Sequence, residues 1–179
     1  MTFIWPIETR ELTDQELTLL PWREARTIAG IVKDLVETCR DERTLRFTTV
    51  PEDYTEAMAE EFVQNSDVVR WALVAEGRYQ GNIEVRLSGD EVNRTVDIGY
   101  AAAPWGRGRG LMTRALKLVL ATAFEQDVYR VELKAARQNS ASRHVAEGAG
   151  MHFEGYLRGA EQLRGEIYDL ALYSKLATD

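Results

Sequence analysis

Hydrophobic residues along the chain recur at two spacings, every second position or every third to fourth, and the switches between the two mark out the elements. The sharpest switch lies between Thr95 and Phe124. Val96, Ile98 and Tyr100 fall on one face of an extended segment and Asp97, Gly99 and Ala101 on the other, which predicts a half-buried strand over 95–102. Pro104 ends it. After a turn holding Gly106, Gly108 and Gly110, the residues Met112, Leu116, Val119 and Ala123, with Leu120 and Phe124 beside them, keep helical spacing.

The flanking segments read in the same way. Residues 1–15 carry few periodic signals and are expected as an extended arm laid on the domain. Residues 15–20 form a first strand stopped by Pro21, and Trp22 to Arg40 keeps helical spacing through Ala25, Ile28, Ala29, Val32, Leu35 and Val36. An irregular connection over 43–52 leads to a second helix opened by Pro51-Glu52-Asp53, with Tyr54, Met58, Ala59 and Phe62 on its apolar face. Val69 to Glu76 and Tyr79 to Leu87 form a hairpin around Gly77-Arg78, with Gly81 placed for a bulge. Beyond the long helix, 129–135 alternates as a fifth strand, parallel to 95–102 because a single helix connects them. Asn139 starts a helix with Ala141, Val145 and Ala146 inward, Gly148 and Gly150 end it, and strands at 151–157 and 166–176 close the chain around a loop at 158–165. This order predicts one α+β domain over 1–179, a mixed sheet with helices on its faces and a ligand loop at the carboxyl end of a parallel strand.

Composition narrows the function. With 45% hydrophobic and 28% charged residues, 179 residues suffice for one well-cored domain, and no apolar run approaches the ~18 residues that span a bilayer. No signal-peptide pattern opens the chain, so a cytoplasmic protein without membrane contact is expected. A net charge of −7 argues against a nucleic-acid partner and suits a cationic substrate. Cys39, the one cysteine, sits in a helical pattern as a passive thiol, and His144 and His152 lack a ligand cluster, so no metal is expected.

The turn carries the chemistry. A strand that runs through glycines into a helix N-terminus presents unpaired N–H groups at the positive end of the helix dipole, and Arg107 and Arg109 add charge for an anion such as a pyrophosphate. The same glycines also suit a tight turn whose arginines face water. Thr113 follows Met112 rather than a lysine, which excludes a P-loop, and Gly106-x-Gly108-x-Gly110 differs in spacing from the dinucleotide fingerprint.

Arg107-Gly108-Arg109-Gly110-Leu111-Met112-Thr113 resembles the acyl-CoA pyrophosphate loop of the GNAT superfamily of N-acetyltransferases, Gln/Arg-x-x-Gly-x-Gly/Ala, with Met112 departing at the last position. Asn139-x-x-Ser142 running to Gly150-Met151, and Glu154-Gly155-Tyr156-Leu157-Arg158, are similar to segments of the Rim-type, ribosomal-protein N-terminal acetyltransferase branch. Together these signatures cover about residues 68–176. The resemblance implies that the fourth and fifth strands splay and that the pantetheine of acetyl-CoA lies between them, bonded to the main chain of Ile98, Gly99, Tyr100 and Ala101, with Gly99 allowing close approach. It also implies a pyrophosphate on Arg107 to Thr113, a pantetheine contact at Asn139, and Ser142 as the acid that meets the departing thiolate. Glu161 matches the position of a general base. On their residues alone, Asn139 and Ser142 equally suit helix capping, and Glu161 a solvated loop carboxylate.

The expected activity is direct acetyl transfer from acetyl-CoA to a primary amine, foremost a protein N-terminal α-amine. A small amine such as an antibiotic or polyamine, or a regulatory protein that binds acyl-CoA without turnover, are the alternatives. Monomer and homodimer are equally compatible with the sequence.

Overall fold

The computed structural model describes residues 3–179; Met1 and Thr2, the first positions of the expected arm, lie outside the described residues. Eight strands form one sheet: β1 (Leu12–Asp14), β2 (Leu17–Pro21), β3 (Val69–Ala75), β4 (Arg78–Leu87), β5 (Thr95–Ala102), β6 (Arg130–Ala136), β7 (His152–Leu163) and β8 (Glu166–Leu176), in the order β1-β2-β3-β4-β5-β6-β8-β7. Only β5 and β6 are parallel, with α4 (Leu111–Glu125) crossing between them. The expected mixed, mostly antiparallel sheet is the one observed.

Helices cover both faces. On one, Leu116, Val119 and Ala123 of α4 pack against Trp71, Ile83, Val96, Ile98 and Val131, and Phe3 and Ile7 of the arm join this core. On the other, α1 (Ile31–Arg40) and α3 (Glu56–Gln64) bury Ile31, Leu35, Ala59 and Val63 against Ala72 and Tyr79. A small cluster of Ala136, Leu163, Tyr168 and Leu170 lies under Phe47 of α2 (Glu42–Phe47). Among the described residues no helix is long and apolar enough to cross a membrane.

Several elements differ from the sequence expectations. The helix expected over Trp22–Arg40 is two: a 3-10 turn at Trp22–Thr27, then α1 beginning after Gly30, whose φ of 73° suits glycine. Both pieces bury the same side, so the apolar spacing runs unbroken across the junction. The irregular connection expected over 43–52 instead begins within α2, because Asp41 caps that helix by accepting from Thr44 N–H at 3.0 Å. The following helix starts at Glu56, capped by Thr55, rather than at Pro51. The expected loop at 158–165 shrinks to a turn at Arg164-Gly165, and the arm gains strand β1.

Candidate active site

Two structural decisions create the site, and the first is made by backbone pairing. β5 and β6 are paired from Thr95↔Arg130 to Ile98↔Leu133 and no further, although β5 continues to Ala102 and β6 to Ala136. β4 follows β5 to the end and β8 follows β6, so the two halves of the sheet part after Ile98 and Leu133. Thr95 C=O accepts from Ser88 N–H at 2.9 Å and Ala103 N–H donates to Gln80 C=O at 2.9 Å, so the odd residues of β5 turn their main chain toward β4. Alternation then aims the N–H and C=O of Tyr100 and Ala102 into the gap. Gly99 and Ala101, expected among the backbone contacts, face β4 instead. A Cβ on Gly99 would meet Arg86 Nη2 at 2.9 Å, so that side of the strand is filled by the arginine, itself 2.7 Å from Asp97.

The second decision is a bulge. Leu73 pairs with Gly81 and Val74 with Tyr79, which leaves Gln80 as the extra residue of β4. Buried Gln80 then holds the glycine turn. Its C=O accepts Ala103 N–H and lies where a Cβ on Gly106 would come within 2.5 Å, and its side-chain oxygen meets Arg109 Nη1 at 3.5 Å. Trp105 Nε1 donates to Tyr79 C=O at 2.7 Å, on the same hairpin.

Beyond these anchors the turn stands open. Gly108 and Gly110 have φ of 72° and 71°, and nothing lies within 4 Å of a Cβ at either. Gly110 caps α4, whose first bond runs from Arg114 N–H to Gly110 C=O, so the N–H groups of Leu111, Met112 and Thr113 project from the helix end ahead of the ladder. The side chains of Leu111 and Met112 are buried in the core, so Met112 does not narrow this approach. Thr113 packs beside Gly148. Neither arginine points freely at an anion: Arg107 bonds Asp41 at 2.6 Å and Thr44 at 3.1 Å, and Arg109 bonds Glu76 at 2.9 Å. The Arg107 hydrogen bond holds the Asp41 carboxyl below its ordinary value.

Across the gap, α5 (Ser140–Gly148) begins at Asn139, whose side-chain oxygen accepts Ser142 N–H at 3.2 Å. Asn139 therefore caps the helix with its oxygen. Ser142 Oγ is 3.0 Å from the phenol oxygen of Tyr100. Glu161 lies in β7 opposite Tyr168, on the face shared with Leu163 and Leu170, which is the sheet face opposite the one that carries the Tyr100 side chain and α5. Burial pushes its carboxyl above the ordinary value, and among the described residues no lysine or arginine pairs with it. The hairpin tip is tied down by Arg164, which donates to Leu45, Thr48 and Val50 C=O at the end of α2.

Residues 16–152 match the acetyltransferase (GNAT) domain family. The chain belongs to this family. The chain is similar to YdaF of Bacillus subtilis (strain 168), which carries a ribosomal N-acetyltransferase name and is 39% identical over 88 residues, 49% of this chain and 48% of that protein. The aligned region thus spans about half the length of the curated relatives it matches. A GNAT-family acetyltransferase from Bacillus anthracis has the same fold with a TM-score of 0.82 at 19% identity, over 95% of this chain and 100% of that one. RimL, described as a ribosomal L7/L12 α-N-protein acetyltransferase and solved with coenzyme A, gives 0.80 at 17% identity, over 93% and 98%.

Within the GNAT fold of this chain, three contributors to the site escape sequence reasoning. Gln80 is signalled only by the glycine after it, which marks the bulge without naming the residue it extrudes. Asp41 and Arg107 are 66 positions apart. The Tyr100 phenol and Ser142 are 42 apart, and no local pattern joins either pair.

Proposed function

We propose that this GNAT-family protein is an acetyl-CoA-dependent N-acetyltransferase that transfers acetyl directly to a protein N-terminal α-amine. One observation carries the reading: the sheet parts after Ile98 and Leu133 beside an open glycine turn at a helix N-terminus. The gap accepts an extended chain of amides, since Tyr100 and Ala102 aim donors and acceptors into it, and the turn accepts a pyrophosphate on the N–H groups of Leu111 to Thr113. RimL, with the same fold, was solved with coenzyme A, and YdaF bears a ribosomal N-acetyltransferase name, which supports the acceptor class.

Acetyl-CoA supplies an activated carbonyl and a thiol leaving group. The chain supplies position and polarity. The Tyr100 N–H, fixed in the gap, is the donor suited to charge developing on the carbonyl oxygen. Glu161, with a raised carboxyl and no cation beside it, is suited to take a proton from the amine, directly or through water. An α-amine with a pKa near ~7.7–8.0 is already roughly 10–15% neutral at pH 7, against well below 1% for lysine near ~10.4, so an N-terminal substrate asks little of that base. Ser142, at the first turn of α5 beside the Tyr100 phenol, is suited to meet the departing thiolate. The expected localisation is the cytoplasm, where acetyl-CoA and nascent chains meet.

The test is release of free thiol from acetyl-CoA with three acceptors: Ser-, Ala- and Met-initiated tetrapeptides, the same peptides with blocked α-amines but an internal lysine, and spermidine. Turnover confined to the free α-amines is the expected result. Turnover only with spermidine would overturn the acceptor class, and none with any amine would overturn the activity.

A further inference from the structure

The Tyr100 side chain reaches the site as well as its main chain. Its ring packs against the α4-side core, and its oxygen lies 3.0 Å from Ser142 Oγ and 3.0 Å from Ser142 C=O. Tyr100 stands two residues beyond the last β5–β6 pair, so the phenol crosses from the parted strand to the first turn of α5.

Counting protons separates two arrangements at these distances. A phenol has one proton, a carbonyl oxygen only accepts, and a serine hydroxyl both donates and accepts. In the first arrangement Tyr100 donates to Ser142 C=O and Ser142 donates to the phenol oxygen, so the serine proton is committed to the tyrosine. In the second Tyr100 donates to Ser142 Oγ, and the serine proton is free to turn to another acceptor. The second leaves no orphan, because Ser142 C=O lies inside α5 and has the helix ladder for a partner. Burial pushes the phenol's ionisation above the ordinary tyrosine value, so it keeps its proton and stays a donor.

We propose that Tyr100 is a positioning residue for Ser142, its phenol donating to Ser142 Oγ so that the serine hydroxyl presents its proton to the departing thiolate sulfur. The inference rests on the acetyl-transfer reading above. A lone serine hydroxyl samples three rotamers and any nearby acceptor, whereas the phenol fixes both the oxygen and the direction of its proton. Tyr100 itself does not touch the sulfur and acts only through Ser142.

A double-mutant cycle tests this, using wild type, Tyr100→Phe, Ser142→Ala and the double variant. For each, kcat is measured by thiol release with the Ser-, Ala- and Met-initiated tetrapeptides, acetyl-CoA affinity by calorimetry, and Tm. Ser142→Ala and Tyr100→Phe are each expected to lower kcat by about tenfold, the scale of one oriented hydrogen bond. Acetyl-CoA affinity should stay within about twofold, and the double variant should be no slower than Ser142→Ala, since a residue that acts through another has nothing left to position. Two outcomes would overturn the inference while leaving acetyl transfer intact. One is a double variant slower than Ser142→Ala by the full Tyr100→Phe factor. The other is Tyr100→Phe lowering Tm or acetyl-CoA affinity with kcat unchanged. A wild type that binds acetyl-CoA but releases no thiol would overturn the acetyl-transfer reading, and this inference with it.

Discussion

Burial at Glu161 works against its charge, and that has a sign in two measurements. Its carboxyl titrates above the ordinary 4.5, and the charged form is the one suited to take a proton. The rate should therefore rise with pH through a value above 4.5, a limb separate from the one the substrate α-amine contributes near ~7.7–8.0. Glu161→Gln should lower kcat by about tenfold, the factor left open by an α-amine that is already roughly 10–15% neutral at pH 7, and abolish that acid limb. The folded state holds the Glu161 proton more tightly than the unfolded chain does, so ionisation at neutral pH opposes folding, and the variant should melt no lower than wild type at pH 7. Persistence of the lower limb in Glu161→Gln, as distinct from the limb of the α-amine, would remove Glu161 from the mechanism. At this scale the sequence was legible where the backbone acts. Gly108 and Gly110 were recognisable because a chain entering a helix through positive φ needs glycine. Gly99 misled, because strand parity and the Arg86 side chain decide what surrounds it and neither is visible locally. The phenol of Tyr100 was invisible, since its meaning comes from a partner on a helix reached only after the crossover.

Elements meet at the glycine turn, which is clamped from both flanks. Gln80 and Tyr79 on β4 hold its start, while Asp41, the cap of α2, holds Arg107. One carboxylate thus serves two elements. Arg107→Ala removes the salt bridge and loosens the cap, a loss of about 1 kcal/mol and so a Tm lower by about 2–4 °C for a domain of this size. Acetyl-CoA affinity should fall far less in this variant than in Gly108→Glu, because the arginine is already committed to Asp41 and the N–H groups remain. Equal losses of affinity would mean that the guanidinium leaves Asp41 for the ligand. The strand, turn and helix from Thr95 to Phe124 were readable because alternation, glycine and helical spacing fall in one continuous stretch. The break at Gly30 and helix α2 were not. There the apolar spacing continues through a 3-10 turn, and a single aspartate cap decides a six-residue helix.

The whole molecule is a sheet held as two halves that share only four residue pairs between β5 and β6. Side chains reinforce the far half. Arg130 of β6 grips Glu154 of β7 at 2.7 and 2.9 Å, and Ser174 of β8 donates to the same carboxylate at 2.6 Å. The Arg130 hydrogen bonds, then Ser174, hold Glu154 down to about 2. A depressed carboxyl contributes stability in full above its ordinary 4.5 and loses it as pH falls toward about 2. With both side chains partly exposed, the contribution is about 1 kcal/mol after screening. Glu154→Gln should lower Tm at pH 7, and the difference from wild type should vanish near pH 2; an unchanged Tm at pH 7 would contradict it. The parallel pair was legible from the single helix crossover, but the place of β8 between β6 and β7 and the point where the β5–β6 pairing stops were not, because no local pattern marks either. That parting is the centre of the account, and calorimetric titration with acetyl-CoA tests it most directly, on wild type and on Gly108→Glu. Binding by folded wild type that is lost in the variant, with Tm lowered only by the few degrees that a side chain at positive φ costs, is the predicted result. A folded wild type that does not bind acetyl-CoA, or a Gly108→Glu variant that binds it equally well, would contradict the account.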